Sequence, residues 1–101
     1  MIQAVFSKST NPKKKYKVVV TDGERKKTIH FGQAGAEDFT IHKDEERKNR
    51  YIDRHQSRED FEDPFTAGFW ALHVLWNKRT LNASLKDIKD NFKIKIKKTK
   101  N

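Results

Sequence analysis

"KYKVVVTDGERKKTIHFG", residues 15–32, decides the fold class. Tyr16, Val18, Val19 and Val20 are strand formers, and so are Thr28, Ile29 and Phe31. Asp22-Gly23 between the two runs is a preferred two-residue hairpin turn, because both residues tolerate positive φ. The stretch therefore predicts a β-hairpin. Upstream, "IQAVF", residues 2–6, offers a further strand to pair with it, and "SKSTNP", residues 7–12, makes the connection, with Asn11-Pro12 marking a turn. Downstream, "GQAGAED", residues 32–38, is a loop. Its glycines three apart allow a tight backbone path, but no lysine-serine pair follows, so it does not match a phosphate-binding loop.

Three helices are expected next. The first runs over about 43–57, with Asp44, Glu45 and Glu46 in the first turn, where acids favour the positive end of the helix dipole. The second is expected over 64–77: Asp63 caps and Pro64 fits the first helical position. Its body places Phe65, Phe69, Leu72 and Trp76 on one stripe and Trp70 and Val74 on another, the pattern of a helix buried on several faces. Gly68 inside it predicts close approach of a neighbouring backbone. The third runs over 81–92, capped by Thr80, with Leu81, Leu85, Ile88 and Phe92 in a single stripe. The end, "FKIKIKKTK", alternates: Phe92, Ile94 and Ile96 point one way, and Lys93, Lys95 and Lys97 the other. That strand joins either the hairpin as a lysine-guarded edge or a partner's sheet. The expected fold is α+β: a hairpin, extended to three or four antiparallel strands when the C-terminal strand joins, packed on three short helices. The candidate core is Tyr51, Phe65, Phe69, Trp70, Leu72, Trp76, Leu81, Leu85 and Ile88.

The chain has 101 residues, enough for one domain with a modest core. It is 34% hydrophobic and 37% charged, but an aromatic content of 11% argues against disorder. With no cysteine, neither disulfides nor thiolate metal sites are available. No window approaches the roughly 20 apolar residues of a membrane helix, and no apolar leader opens the chain, so a protein that is soluble and intracellular, or built into something made inside a cell, is expected. The net charge of +9 is concentrated at the ends. Lys8, Lys13, Lys14, Lys15 and Lys17 stand in residues 1–17, and Lys93, Lys95, Lys97, Lys98 and Lys100 in 93–101, with no acid in either. Such ends, at 7–17 and 93–101, read as basic arms that meet a polyanion or an acidic protein surface, or simply keep the chain soluble.

The candidate chemistry is sparse. His30, His42, His55 and His73 lack metal-motif spacing, and no cofactor is expected. His55 reads as a solvated or hydrogen-bonded helix residue, His73 as a packed one beside Trp70 and Trp76. Asp60, Glu62 and Asp63 cluster where capping already explains them. No nucleophile elbow or kinase set appears, and a domain this small leaves little room for an enclosed pocket, so no enzyme is expected. On the first helix Arg47, Arg50 and Arg54 fall at i, i+3, i+7 on one stripe, which Arg58 extends. Guanidinium forks match phosphate oxygens, although acids on the same helix make the face mixed.

At "KKTIHFG", "DFTIHKDEERKNRYIDRH" and "DPFTAGFWALHVLWNKRTL" the chain resembles a group of small proteins of large DNA viruses of algae and protists, with short relatives in phages. The pattern is carried by His30, Phe31 and Gly32; Thr40, His42, Lys43 and Asp44; Arg47, Lys48, Tyr51, Arg54 and His55. It continues through Asp63, Pro64, Thr66, Ala67, Gly68, Phe69 and Trp70 to Trp76, Asn77, Lys78 and Leu81. Ala71 and Leu72 depart from it and make the second helix more apolar. The resemblance implies a context rather than a chemistry. The expectation is a non-enzymatic virion component, a minor capsid or internal structural protein, docking through its basic ends on other virion proteins in an oligomer or larger assembly. It would be found in the virion, and in the host cytoplasm or nucleus during assembly. The alternative is a DNA- or RNA-binding protein using the lysine-rich ends with Arg47, Arg50 and Arg54. A third reading is a metal-dependent nuclease built on His42, Asp44 and His55.

Overall fold

A computed structural model of the chain describes residues 2–99. Strands β1 (Gln3–Lys8), β2 (Lys14–Asp22), β3 (Arg25–Gln33) and β4 (Lys95–Lys98) form one sheet in the order β3-β2-β1-β4. Between β3 and β4 lie α1 (Phe39–His42), α2 (Glu45–His55), α3 (Ala67–Trp70), which continues as a π-helical turn over Ala71–Leu75, and α4 (Leu81–Phe92). The fold is α+β, as the alternation in residues 15–32 and the helical stripes require. Among the described residues no helix is long and apolar enough to cross a membrane.

The sheet is mixed, not antiparallel throughout. β1, β2 and β3 pair antiparallel, but β4 lies parallel to β1. The cause is the route. The helical segment carries the chain back to the end at which β1 begins, and Lys93, left-handed at φ 53, turns it from α4 so that the Lys95 amide donates to the Ile2 carbonyl. The hairpin turn is displaced by one residue from Asp22-Gly23. Asp22 pairs with Arg25, so the loop is Gly23-Glu24, and only Gly23 has positive φ, the pattern of a turn with glycine first.

Strand alternation divides the sheet into two faces. Ala4, Phe6, Val18, Val20, Ile29 and Phe31 are buried on one, against Phe65, Phe69, Trp70, Val74, Leu75, Leu85 and Ile88 of the helical layer. The other face carries three cross-strand rows: Lys95–Gln3–Thr21–Lys26, then Lys97–Val5–Val19–Thr28, then Ser7–Lys17–His30. Of the expected core, Leu72 is buried, and Trp76 and Leu81 are partly buried at the rim. Tyr51 stands apart from the core cluster, half-buried against Trp76.

α4 occupies the expected residues, because Thr80 accepts from the Ala83 amide and the apolar stripe ends at Phe92. The second helix starts three residues late. Thr66, not Asp63, is its cap, accepting from the Phe69 amide, while Asp63 accepts from Phe65 in a turn of its own. Phe65 is held in place from the sheet: the Arg25 guanidinium lies 3.9 Å from its ring centroid and Lys27 donates to its carbonyl. That anchoring keeps Pro64 to Thr66 out of the helix. Gly68 faces the side chain of Glu59 and not a backbone, since a Cβ there would lie 2.9 Å from Glu59 Cδ. His73 packs against Phe69 and Phe92 instead of the two tryptophans, and its Nε2–H donates to the Phe61 carbonyl at 2.7 Å. The short α1 has no counterpart in the sequence reading. It is capped by buried Asp38 and ended by Lys43 at φ 57.

Candidate functional site

The arginine stripe sits on α2, and α2 is positioned by its ends and one aromatic stack. Asp44 accepts from the amides of Glu46 and Arg47, and Glu45 and Glu46 complete an acidic first turn. The Asp44 amide in turn donates to Nδ1 of His42, which sets that ring's tautomer. Beneath the helix, Tyr51 stacks on Trp76 with centroids 4.5 Å apart and planes 5° from parallel. His55 stacks on Tyr51 at 4.1 Å, its Nδ1–H donating to the Tyr51 carbonyl. His42 approaches Trp76 at 5.3 Å. The result is a ladder of four rings, His42, Trp76, Tyr51 and His55, worth about 1 kcal/mol per aromatic pair beyond the area buried. Lys48 adds a tie, donating to the Asn77 carbonyl at 2.8 Å. Burial, with the charge of Glu59, pushes the Tyr51 hydroxyl up to about 12, so it stays protonated.

On this base Arg47, Arg50, Asp53 and Arg54 line, with Trp76, an open groove of about 450 Å³. A second hollow of about 290 Å³ shares Arg54 and Trp76 with it and reaches toward β3 at Gln33. Arg47 is bound to Glu37 at 2.7 Å, and this hydrogen bond holds the Glu37 carboxyl below its ordinary range. Arg50 and Arg54 make no hydrogen bond or ion pair among the described residues. Trp76 offers no free stacking platform, because Tyr51 covers one side of the ring and His42 crowds it. The groove therefore presents guanidinium forks rather than a surface on which a base could stack.

The lysines are dispersed. Residues 7–17 do not form an arm. They are the end of β1, a turn and the start of β2, and 93–98 lead into and form β4. Lys13 and Lys14 are exposed at the turn. Lys15 binds the buried carboxylate of Asp38, whose other oxygen caps α1, so it serves the fold. Lys17, Lys95 and Lys97 stand on the uncovered face of the sheet. Lys93 ends α4, Lys98 reaches Asn82 at 3.4 Å, and Lys100 lies outside the described residues. The lysine-rich ends and the arginine stripe are thus separate surfaces. Two residues belong with them that the sequence reading placed elsewhere: Trp76, assigned to the core, walls the groove, and Lys26 joins the uncovered sheet face. Lys26 was legible in principle. Once Ile29 and Phe31 point inward, period two sends Thr28 and Lys26 outward with Lys17.

A metal centre on His42, Asp44 and His55 does not form. Asp44 caps α2, and two rings of the ladder separate the histidines. Among the described residues no group of three His, Asp or Glu could hold a metal ion. Asp60 and Asp63 both accept from backbone amides two residues on.

No curated protein and no solved structure matches the chain. Residues 4–55, from β1 to the last residue of α2, match the "Family of unknown function (DUF5754)". That span holds the hairpin and Arg47, Arg50 and Arg54, while Arg58, Trp76 and the rest of the helical layer lie beyond it. The chain belongs to the DUF5754 family.

Proposed function

We propose that this protein is a non-enzymatic nucleic-acid-binding protein that grips phosphates in the α2 groove without reading base sequence. One observation carries the reading: Arg50 and Arg54, which make no hydrogen bond or ion pair among the described residues, line a concave surface held in place by the Trp76–Tyr51 stack. Unpaired arginines on a fixed helix are pre-organised for bidentate contact with phosphate. The occupied tryptophan ring leaves the backbone, not the bases, as the partner. The test is fluorescence anisotropy with unrelated DNA and RNA sequences across a salt series. The slope of log affinity against log salt should fall by roughly 0.9 for each phosphate contact removed, so Arg50→Gln with Arg54→Gln should flatten it by about 2. Unchanged affinity in that variant, or no binding at low salt, overturns the proposal.

A virion setting is compatible with this chemistry and rests on the resemblance of residues 27–85 to small viral proteins. Docking through free basic arms has less geometric support, because both ends are strands of the protein's own sheet. Proteomics of purified particles tests the setting, and absence from the particle removes it.

A further inference from the structure

The uncovered face of the sheet is a basic surface that shares no residue with the groove. We infer that it is a second phosphate-binding surface, fitted to the backbone of a double-stranded nucleic acid. Lys95 and Lys26 close the two ends of one cross-strand row, Lys97 ends the next at β4, and Lys17 stands beside His30 in the third. Adjacent strands lie ~4.8 Å apart, which sets Lys95 and Lys26 about 14 Å from each other across four strands. No acidic residue occupies the three rows. Lys26, Lys95 and Lys97 are exposed and Lys17 is half-buried, and none of the four side chains makes a hydrogen bond or ion pair among the described residues.

The chemistry selects the occupant. The rows hold no phenylalanine, tyrosine or tryptophan, and their one ring, His30, is tied to Ser9 Oγ at 2.8 Å, so the stacking platforms that retain single strands are missing. They also lack the tryptophan, tyrosine or arginine anchors on which protein interfaces centre. Val5, 39% exposed, is the one large apolar group laid open there. Flexible ammonium groups over a floor of uncharged side chains suit a regular array of phosphates. A competing reason for lysines on a sheet is protection of its edges. It covers Lys26 on β3 and Lys95 and Lys97 on β4, which are edge strands, but not Lys17, which sits on the inner strand β2.

The experiment compares the full chain with a variant combining Lys17→Gln, Lys26→Gln, Lys95→Gln and Lys97→Gln, and with Lys17→Gln alone. Probes are short labelled duplexes and single strands of unrelated sequence. Circular dichroism and sedimentation report fold and self-association. The expected result is a duplex salt slope flatter by up to about 3.6 in the combined variant and about 0.9 in the single one, with a smaller change for single strands. Duplex affinity and slope equal to wild type overturn the inference, and self-association of the combined variant would then assign the lysines to edge protection. Equal losses on duplex and single strand overturn the choice of a duplex. The arginine variant acts on the groove alone, so failure of one surface is separable from failure of the other.

Discussion

The groove under α2 and the open face of the sheet are both basic, and they are made in different ways. The groove depends on tertiary contacts: its arginines project from a helix with no buried residue, held by one aromatic stack, with Asp53 among them and Glu37 on Arg47. The sheet face depends on strand periodicity alone. Inward-pointing Phe6, Val18, Ile29 and Ile94 leave lysines on the other side with no acid among them. The groove should therefore be fragile and specific in geometry, and the face robust and diffuse.

Trp76→Ala should separate them most sharply. Removing the ring that α2 stacks on costs about 3 kcal/mol by the usual scale for large-to-small aromatic changes. Denaturant unfolding would read that loss, and binding carried by the arginines should vanish while the lysine-dependent part persists at temperatures where the variant stays folded. Gly32→Ala attacks the junction of β3 with the helical layer. Its φ of +77 disfavours a side chain, and the new Cβ would lie 2.7 Å from Leu75 Cδ1. A cost of about 2 kcal/mol is expected from strain plus overlap, measurable as a lower denaturation midpoint. Asp44→Ala, which removes only the α2 cap, should cost about 1 kcal/mol. Hydrogen exchange should rise in the first turn of α2 and not in β1 or β2.

A fourth change bears on both surfaces together. Burial lowers the pKa of His73 from the usual 6.5, against a smaller opposing effect of its bond to Phe61. The unfolded chain then binds the proton more readily, so stability is full above pH 6.5 and falls as pH drops through that value toward the lower folded pKa. Melting temperature should decline with acidification over this window. His73→Gln, which keeps a donor for the Phe61 carbonyl, should flatten the dependence. The smallest effect is expected from Glu37→Gln. Freeing exposed Arg47 should tighten polyanion binding slightly at low salt and not at high salt, since exposed pairs are weak and screened.

The sheet was the more legible region, and the reason is its short period. Alternation over residues 15–32 and 94–98 sorts side chains to the two faces without knowledge of partners, and it set Ile94 against Lys95 and Lys97 as found, although Phe92 and Lys93, read as part of the same strand, end and cap α4. Strand direction was not legible. Parallel pairing of β4 follows from the path of four helical elements, which no local pattern encodes. In the helical layer, α4 followed from one cap and one stripe. The arginine stripe followed from i, i+3, i+7 spacing, but its wall did not. A 3.6 period placed Trp76 in line with Phe65, Phe69 and Leu72. The π turn over Ala71–Leu75 breaks that phase, burying Val74 and Leu75 together and leaving Trp76 partly exposed beneath α2. Charge counted by segment likewise hid Lys26, because it lies in a nearly neutral stretch that the sheet folds into a basic face.

The pairing of β1 with β4 also constrains how the chain can be made. The third residue of the sequence hydrogen-bonds beside the ninety-fifth, so the last ladder to form closes a loop that contains nearly everything else. During synthesis β1, β2 and β3 can zip as a meander while the outer rim of β1 stays open until residues 95–98 emerge. Such late, non-local closure slows folding and leaves an unpaired strand edge exposed to other nascent chains. Exposed Lys8 at the end of β1 supplies repulsion between copies in that interval, and Lys95 and Lys97 guard the new edge once β4 has paired.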